Sequence, residues 1–367
     1  MYIMETNIYH SDLAIHPGEF LEEVLEDMGM SQVELSNRIG RPAQAINEII
    51  KGKKSITSKT ALELEDVLKV PAHIWTGLES EYQIVKAKAE EVQQMQEETK
   101  LLVNFPYADL VKLGFVKTTR KAIEKVNELK RFFSVAKLEQ IEHVKAYQPA
   151  FRVSNHNDIS YEAIATWIQA GRLKAKEIKT APFDKNKLKA LLPEIKKIMN
   201  LQDINDSIDS ICNLLASCGV AFVVLPHFKK TKVNGATFTI ESENKAVILM
   251  TIRGGYSDIF WFSLFHEIGH IILHQKREIF LENGYSDPAL QKQEDEANQF
   301  ARDFLIPKED FKIFTEKNVF NKQSIVSFAK RLEIKPSIVI GRLMHEKIIT
   351  YNDYKLSSLR DQYKWAQ

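Results

Sequence analysis

The chain contains few cysteines. Only Cys212 and Cys218 occur in 367 residues, and both lie in the apolar stretch SICNLLASCGV. They are not spaced as a C-x-x-C pair, so the sequence offers neither a cysteine zinc site nor a disulfide framework. We expect both to be small core residues of a protein in a reducing compartment.

The chain also lacks an excess of charge, with 50 Lys and Arg against 49 Asp and Glu. This balance excludes a global electrostatic attraction to nucleic acid, so any such surface must be local. No apolar run approaches the roughly 20 residues of a membrane span, and the start MYIMETNIYHSDL lacks the features of a signal peptide. We therefore expect a cytoplasmic protein with no membrane contact.

Residues 16–75 predict a compact bundle of about five short helices. Within it, SQVELSNRIG and RPAQAINEIIKGK follow the helix, turn and helix order of a DNA-binding motif, with Gly40 at the turn. Ser31 and Ser58 stand where helix N-caps are expected. The residues predicted to form the apolar sides of the two helices are Val33, Leu35, Ile39, Ile46, Ile49 and Ile50.

The outer side of the second helix is polar. Gln and Asn side chains can pair with adenine in the major groove, so Gln44 and Asn47 are candidate base-reading residues. The charge agrees, since residues 38–59 contain six basic residues against one acidic residue. The alternative is a small helical bundle whose charged face only contacts solvent. The full set of predicted DNA-binding residues is Arg41, Ala43, Gln44, Asn47, Lys51, Lys53 and Lys54.

This stretch resembles a known family. The HPGE start, the segment INEIIKGKKSIT and the sequence between them are similar to the XRE-like helix-turn-helix domain of HigA-type antitoxins. Those proteins are autoregulatory repressors paired with a ribosome-dependent mRNA-cleaving toxin. The resemblance implies double-stranded operator DNA as a partner and a cognate toxin as a possible one. Helix-turn-helix proteins commonly bind paired half-sites, so we expect a homodimer.

A second motif lies in SDIFWFSLFHEIGHIILH, residues 257–274, which predicts an apolar helix carrying H-E-x-x-H. His266 and His270 stand one turn apart on the same face, within reach of one metal ion. Glu267 is placed to act as the general base that takes a proton from water. Ser263 and His274 extend the polar stripe, and polar groups on a buried helix need partners. The alternative is a chance match in a structural helix.

The third metal ligand is expected on the helix predicted for QEDEANQFARDFLIP, residues 293–307. Glu294 lies at the edge of its buried apolar stripe and is the preferred ligand. Asn298 follows one turn later and could orient a ligand histidine. Glu296 points away from the stripe but is not excluded as the ligand. Tyr256 and His274 are possible oxyanion donors without further support.

This second region also resembles a family. The stretch DIFWFSLFHEIGHIILH followed by EDEANQFARDFLIP is similar to the ImmA/IrrE metallopeptidases, and YEAIATWIQAG and VNGATFTI extend the likeness. The resemblance implies a gluzincin-like α+β domain with Zn²⁺ on His266, His270 and Glu294, and with Glu267 as the catalytic glutamate. Family members typically cleave a partner repressor in trans. Here a helix-turn-helix lies in the same chain, so the protein substrate stays open.

The predicted fold class is mainly α. We assign residues 1–78 to an all-α helix-turn-helix domain, 79–147 to a helical linker or spacer, and 148–367 to the metallopeptidase domain. The runs GVAFVVLP, NGATFTI and KAVILMTI predict a small sheet of about three strands, with Ala236, Phe238 and Ile240 alternating with polar residues. The tail SFAKRLEIKPSIVIGRLMHEKII, residues 327–349, has a second helix-turn-helix pattern that we interpret as two helices covering the metal domain.

These motifs favour a transcriptional repressor, as an antitoxin of a toxin–antitoxin system, that carries a zinc-dependent peptidase domain. The alternative is a zinc metalloendopeptidase that cleaves a regulator or itself and uses the helix-turn-helix only for targeting. A third hypothesis is a protein-binding antitoxin in which neither site is active. Whether the chain is an enzyme is left open by the sequence.

Overall fold

The computed structural model describes residues 15–148, 150, 159–201, 203–252, 254–274, 280–281, 288–350 and 354–363. The chain divides into two compact units, Met1–Glu98 and Thr99–Gln367. The domain bounds from the sequence (1–78, 79–147 and 148–367) concern domain roles and stay a prediction. In the structure, residues 79–98 belong to the first unit and residues 99–147 to the second.

Within its described residues, 15–98, the first unit contains five helices, and its apolar core includes Leu21, Leu35, Ile46, Leu64 and Trp75. The glycine turn between the second and third helices is confirmed, because Gly40 adopts the left-handed conformation with φ of 69°. The helices are α1 (Pro17–Asp27), α2 (Gln32–Ile39), α3 (Ala43–Ile50), α4 (Ser58–Leu68) and α5 (Ala72–Glu98).

One sequence-based prediction for this unit is confirmed, and two are wrong. Ser31 caps α2 as predicted, since its hydroxyl accepts the amide hydrogen of Glu34. The prediction for Ser58 is wrong by one residue, because Thr57 caps α4 instead. The prediction for Val33 is also wrong, since it is 60% exposed. Residues two apart on a helix point about 200° apart, so Val33 cannot face the core together with Leu35.

The HPGE start joins α1 to the end of α3. The Nδ1 atom of His16 accepts the amide hydrogen of Gly18 at 2.9 Å and caps α1. A Cβ atom on Gly18 would lie 2.2 Å from the carbonyl oxygen of Ile49, so only glycine permits this approach. The His16 ring also packs edge-on against Tyr82, with ring centroids 4.6 Å apart. The motif therefore fixes α3 within the bundle.

The second unit is helical around a small mixed sheet, so the mainly α fold class with a small sheet is confirmed. Its helices are α6 (Tyr107–Lys112), α7 (Ala122–Phe133), α8 (Tyr161–Glu177), α9 (Lys185–Ile198), α10 (Ile204–Ser217), α11 (Ser257–Leu273), α12 (Pro288–Leu305), α13 (Lys308–Glu316), α14 (Lys322–Arg331), α15 (Pro336–His345) and α16 (Tyr354–Ser357). Short 3-10 segments span Thr99–Asn104, Leu138–His143 and Glu241–Glu243.

The strands are β1 (Val220–Val224), β2 (Gly235–Ile240), β3 (Lys245–Met250) and β4 (Phe280–Leu281), in the order β1-β3-β2-β4. Strand β1 is parallel to β3, whereas β2 is antiparallel to both β3 and β4. The first three strands were predicted. The fourth was not, because a two-residue strand leaves no periodic pattern in the sequence.

The sheet is covered on both faces. Side chains alternate along a strand, so Phe222 and Ile248 pack into one apolar cluster with α11, whereas Val223 and Leu249 pack into another with α8. Helices α6 and α7 contribute to the second cluster. The alternation predicted for β2 is confirmed, since its apolar residues also lie in the second cluster. This arrangement turns Thr237 towards α11.

Helix α15 covers α11, as predicted for the tail. The hydroxyl oxygens of Ser257 and Ser337 lie 2.8 Å apart in the buried contact. A Cβ atom on Gly341 would lie 2.5 Å from Oδ2 of Asp258, so the two helices approach closely at this glycine. The second helix-turn-helix pattern of the sequence is therefore a packing element of the second unit.

The C-terminal segment 354–363 also closes on α11. Arg360 donates to both carboxylate oxygens of Asp258, at 3.0 Å from Nε and 2.9 Å from Nη2. Its guanidinium carbon lies 3.7 Å from the centre of the Tyr256 ring. The indole nitrogen of Trp261 donates to the hydroxyl of Tyr363 at 2.7 Å. These contacts hold the first two turns of the helix that carries the histidines.

Across the described part of the chain, the structure contains no helix whose length and apolar character would suit a membrane span.

Candidate metal centre and nucleic-acid interface

Helix α11 brings the two motif histidines together. Because they are separated by four residues, His266 and His270 lie one turn apart on one face, with their Nε2 atoms 3.0 Å apart. Both side chains are buried. The predicted helix and the predicted pairing of the two imidazoles are both present in the structure.

Helix α12 supplies a carboxylate to the same point. A Cβ atom on Gly269 would lie 3.0 Å from Phe300 and 3.4 Å from Cα of Ala297, so this glycine lets the two helices pack closely. The close packing places Oε2 of Glu294 3.3 Å from Nε2 of His266, and Oε1 of Glu294 3.3 Å from Nε2 of His270.

The geometry fits a metal ion. One ligand atom from each of His266, His270 and Glu294 lies within 4.8 Å of the other two. Zinc with ligands at about 2.0–2.1 Å in tetrahedral geometry separates its ligand atoms by roughly 3.3 Å. The closest separations here are 3.0, 3.3 and 3.3 Å. Two imidazoles and one carboxylate also form a donor set that catalytic zinc uses. These three residues could therefore hold a metal ion.

Burial and charge set the protonation states that a metal needs. Burial lowers the pKa of His270 to about 4, so its imidazole is neutral at pH 7. Burial raises the pKa of the Glu294 carboxyl, but the adjacent imidazoles of His266 and His270 outweigh it and bring the pKa to about 2. A neutral imidazole and an ionised carboxylate are the forms that bind metal.

The side chain of Glu267 extends from α11 to β2. Its Oε2 accepts a hydrogen bond from the hydroxyl of Thr237. A Cβ atom on Gly235 would lie 2.4 Å from Oε1 of Glu267, so β2 can pass this carboxylate only because residue 235 is glycine. Thr237 and Gly235 were not among the predicted site residues. The alternation of β2 contained the signal, since it assigns both residues to the polar side of the strand.

The other two candidate residues of α12, Glu296 and Asn298, are not members of the cluster formed by His266, His270 and Glu294. Oε2 of Glu296 lies 3.1 Å from Nε2 of His274, and the Glu296 side chain is 47% exposed. Asn298 lines a cavity of about 400 Å³ together with Glu294 and Ser263. The role of Asn298 in orienting a ligand histidine stays a prediction. Tyr256, a possible oxyanion donor, lies at the opposite end of α11 under Arg360.

The cavity lies beside the metal centre, between α11, α12 and α15. Apolar side chains from the three helices form part of its wall, including Phe262, Leu305 and Ile338. Arg342 also lines it, but its guanidinium donates to the carbonyl oxygen of Ile306 at 2.8 Å and so serves the packing. A pocket of this size beside a metal centre could accommodate part of a substrate.

In the first unit, the predicted DNA-binding residues lie on α3 and in the turns before and after it, with Arg41 in the turn before the helix. Gln44 donates from its amide to Glu48 at 2.9 Å, and Arg41 forms an ion pair with Glu63 of α4. Asn47 and Ala43 are half-buried. DNA binding would have to exchange the acidic partners of Arg41 and Gln44 for phosphate and base. The exposed residues of the set are Gln44, Lys51, Lys53 and Lys54.

Comparison with known families gives two separate matches. Residues 21–75 match the family described as helix-turn-helix. Residues 258–344 match the family described as the IrrE N-terminal-like domain, a peptidase family. The first match covers α2 and α3 with their flanking helices, and the second covers the helices of the candidate metal centre.

Individual relatives cover the N-terminal part. Virulence-associated protein I of Dichelobacter nodosus is 37% identical over 76 residues, which are 20% of this chain and 70% of that protein. An addiction module antidote protein of a HigA family from Coxiella burnetii is 30% identical, with a TM-score of 0.21 over 23% of this chain and 92% of its own. Pseudomonas aeruginosa antitoxin HigA with higBA promoter is 29% identical, with a TM-score of 0.22 over 23% of this chain and 94% of its own.

Proposed function

We propose that the protein is a DNA-binding transcriptional repressor of the antitoxin type with a zinc-dependent peptidase domain. The chain belongs to the helix-turn-helix family through residues 21–75, and it carries an IrrE N-terminal-like domain in residues 258–344. The observation that carries the proposal is the presence in one chain of two sites with different chemistry. One is the exposed polar side of α3, and the other is the buried cluster of His266, His270 and Glu294.

On the DNA-binding side, α3 enters the major groove of an operator. Gln44 and Asn47 read bases, and Arg41, Lys51, Lys53 and Lys54 contact phosphates. Ala43 adds an apolar contact at the start of the helix. The protein acts as a homodimer on paired half-sites, as helix-turn-helix proteins commonly do. The same chain also binds a cognate toxin protein.

A gel-shift titration on the DNA upstream of the protein's own gene tests this side. Replacing Gln44 or Asn47 with alanine is expected to weaken specific binding by about tenfold to one-hundredfold, because a paired base contact contributes about 1–3 kcal/mol. The matched control is Gln94→Ala, an exposed glutamine of α5. If wild-type protein, the two α3 variants and the control all bind the operator with equal affinity, α3 does not recognise the base sequence.

On the metal side, His266, His270 and Glu294 would hold a zinc ion, which would act as a Lewis acid and lower the pKa of water. Glu267 takes the proton from the attacking water and passes it to the amine that leaves the cleaved peptide bond. The hydroxyl of Thr237 keeps the Glu267 carboxylate in position. The protein substrate is a regulator, either in another chain or in this one.

Glu267→Gln tests the peptidase part. This change keeps the shape of the side chain but removes its ability to take a proton, so zinc content is expected to stay and cleavage to disappear. The assay is mass spectrometry of the zinc-loaded protein incubated alone and with candidate regulators. Fragments that form equally with the variant would reject the role of Glu267. A variant that no longer represses would favour the alternative of a peptidase that uses the helix-turn-helix for targeting.

A further inference from the structure

A third histidine of α11 contacts the candidate metal centre from outside. His274 is the residue that ends the helix, one turn after His270. The Nδ1 atoms of the two rings lie 3.0 Å apart, and the ring centroids are 5.1 Å apart. The His274 side chain is 6% exposed, whereas its partner Glu296 is 47% exposed, so the contact of His274 with His270 is the more shielded of the two.

The two nitrogens of His270 have separate partners. Its Nε2 faces Nε2 of His266 and the carboxylate of Glu294, whereas its Nδ1 faces His274. His274 is therefore not a fourth member of the metal cluster, because its near nitrogen is directed at the outer nitrogen of His270. The Nε2 atom of His274 lies 3.1 Å from Oε2 of Glu296.

A metal ion on Nε2 of His270 would fix the direction of this chain of contacts. A neutral imidazole that binds metal through Nε2 carries its proton on Nδ1. That proton is directed at Nδ1 of His274, 3.0 Å away, and a neutral His274 ring that accepts it on Nδ1 carries its own proton on Nε2. The Nε2 proton of His274 is directed at the carboxylate of Glu296, which accepts it. With this arrangement of protons, His270 donates to His274 and His274 donates to Glu296, so both hydrogen bonds form at once.

We infer that His274 and Glu296 are positioning residues that hold the ring of His270 in the orientation and tautomer required for metal binding. The inference rests on the metal site proposed above and extends it. It also gives separate tasks to two acidic residues of α12. Glu294 points inward to the metal ligands, whereas Glu296 lies two residues later and supports the outer histidine. Partners of this kind typically change metal affinity by about tenfold to one-hundredfold.

Zinc affinity is the decisive measurement, made by competition with a chromophoric chelator at one pH. His274→Phe keeps an aromatic ring but removes both hydrogen bonds, and we expect its zinc affinity to fall by about tenfold to one-hundredfold. Glu296→Gln keeps one acceptor and should lose less. The double variant should bind zinc no more weakly than His274→Phe, because Glu296 acts only through His274. The control is His227→Phe, which changes an exposed histidine after β1.

A conservative variant and a spectrum separate positioning from general damage. The amide oxygen of glutamine can accept the Nδ1 proton of His270, so His274→Gln is expected to recover part of the lost affinity. Cobalt(II) absorption bands should shift in His274→Phe and not in His227→Phe, because they report on ligand orientation. Circular dichroism of each metal-free variant checks that it is folded.

The outcomes are distinguishable. Equal zinc affinities of wild-type protein and His274→Phe would overturn the positioning role but leave the metal site intact. A double variant much weaker than His274→Phe would overturn the series arrangement. A wild-type protein that binds no zinc would overturn the metal site and this inference together.

Discussion

The two units hold their candidate functional side chains in opposite surroundings. In the first unit, Gln44, Lys51, Lys53 and Lys54 are exposed and rest on a small core that does not depend on them. In the second unit, His266, His270, Glu267 and Glu294 are buried between helices and a strand. A surface that reads a long ligand must face water, whereas a site that controls protons and a metal must exclude it. Substitutions should therefore act by different routes in the two units.

The largest expected effect is the loss of zinc in Glu294→Gln. The amide replaces an anionic ligand by a neutral one, and two imidazoles alone are a poor zinc site. Elemental analysis after dialysis should find stoichiometric zinc in wild-type protein and almost none in the variant. Glu309→Gln changes an exposed carboxylate of α13 and should retain the metal. Unchanged DNA binding by Glu294→Gln would sharpen the contrast between the units, and retained zinc would break it.

A pair of glycines provides the next test. Gly235→Ala forces a methyl group against Glu267 and should destabilise the second unit by about 1–3 kcal/mol. In contrast, Gly77 lies in α5 of the first unit with nothing within 4 Å of a Cβ atom there. Gly77→Ala should therefore stabilise by about 0.5–1 kcal/mol, through helix propensity alone. Thermal unfolding of both variants measures the two signs, and equal signs would contradict the comparison.

A smaller effect is expected for single lysines of the first unit. Lys53→Gln removes one phosphate contact, so the slope of log affinity against log salt concentration should fall by about one. Its effect on the preference for operator over random DNA should be slight. Lys86→Gln on α5 is the control and should leave the slope unchanged. If Lys53→Gln altered sequence preference instead, this residue would be a base-reading one.

The smallest expected effect concerns acid stability. Burial raises the pKa of Glu79, but hydrogen bonds from the amide of Ile56 and the side chain of Gln83 outweigh it, so the pKa lies below the ordinary value of 4.5. The resulting stabilisation is present above pH 4.5 and is lost as the pH falls through the lower folded-state pKa. Glu79→Gln should unfold at a lower temperature at pH 7, with a weaker dependence between pH 5 and 3. The exposed Glu26→Gln should follow wild type.

Local patterns were sufficient to predict a large part of the fold and the proximity of His266, His270 and Glu294. The spacing of His266 and His270 depends only on helix geometry, and the position of Glu294 at the edge of an apolar stripe indicated that it faces the core. The polar side of β2 follows from alternation, although its contact with Glu267 does not. Each of these properties is set within a few residues of sequence.

Contacts between distant elements could not be predicted in the same way. The ion pair of Arg41 with Glu63 joins two helices, and the sequence shows only that both residues are charged. The link between His274 and Glu296 depends on the rotation of two rings and on the pairing of α11 with α12. The apolar residues of α6 and α7 gave no indication that these helices share a cluster with the sheet.

The closure of the C-terminal segment on α11 has a consequence for how the protein is made. Asp258 and its partner Arg360 are 102 positions apart in the chain, whereas the core of the first unit is complete within residues 21–75. At about 5–20 residues per second, a ribosome needs roughly 5–20 s to add the intervening chain. A nascent protein can therefore fold its DNA-binding unit while the histidine helix is still without its last contacts. Newly made chains would complete the helix-turn-helix fold before the helix of the candidate metal ligands gains its last contacts.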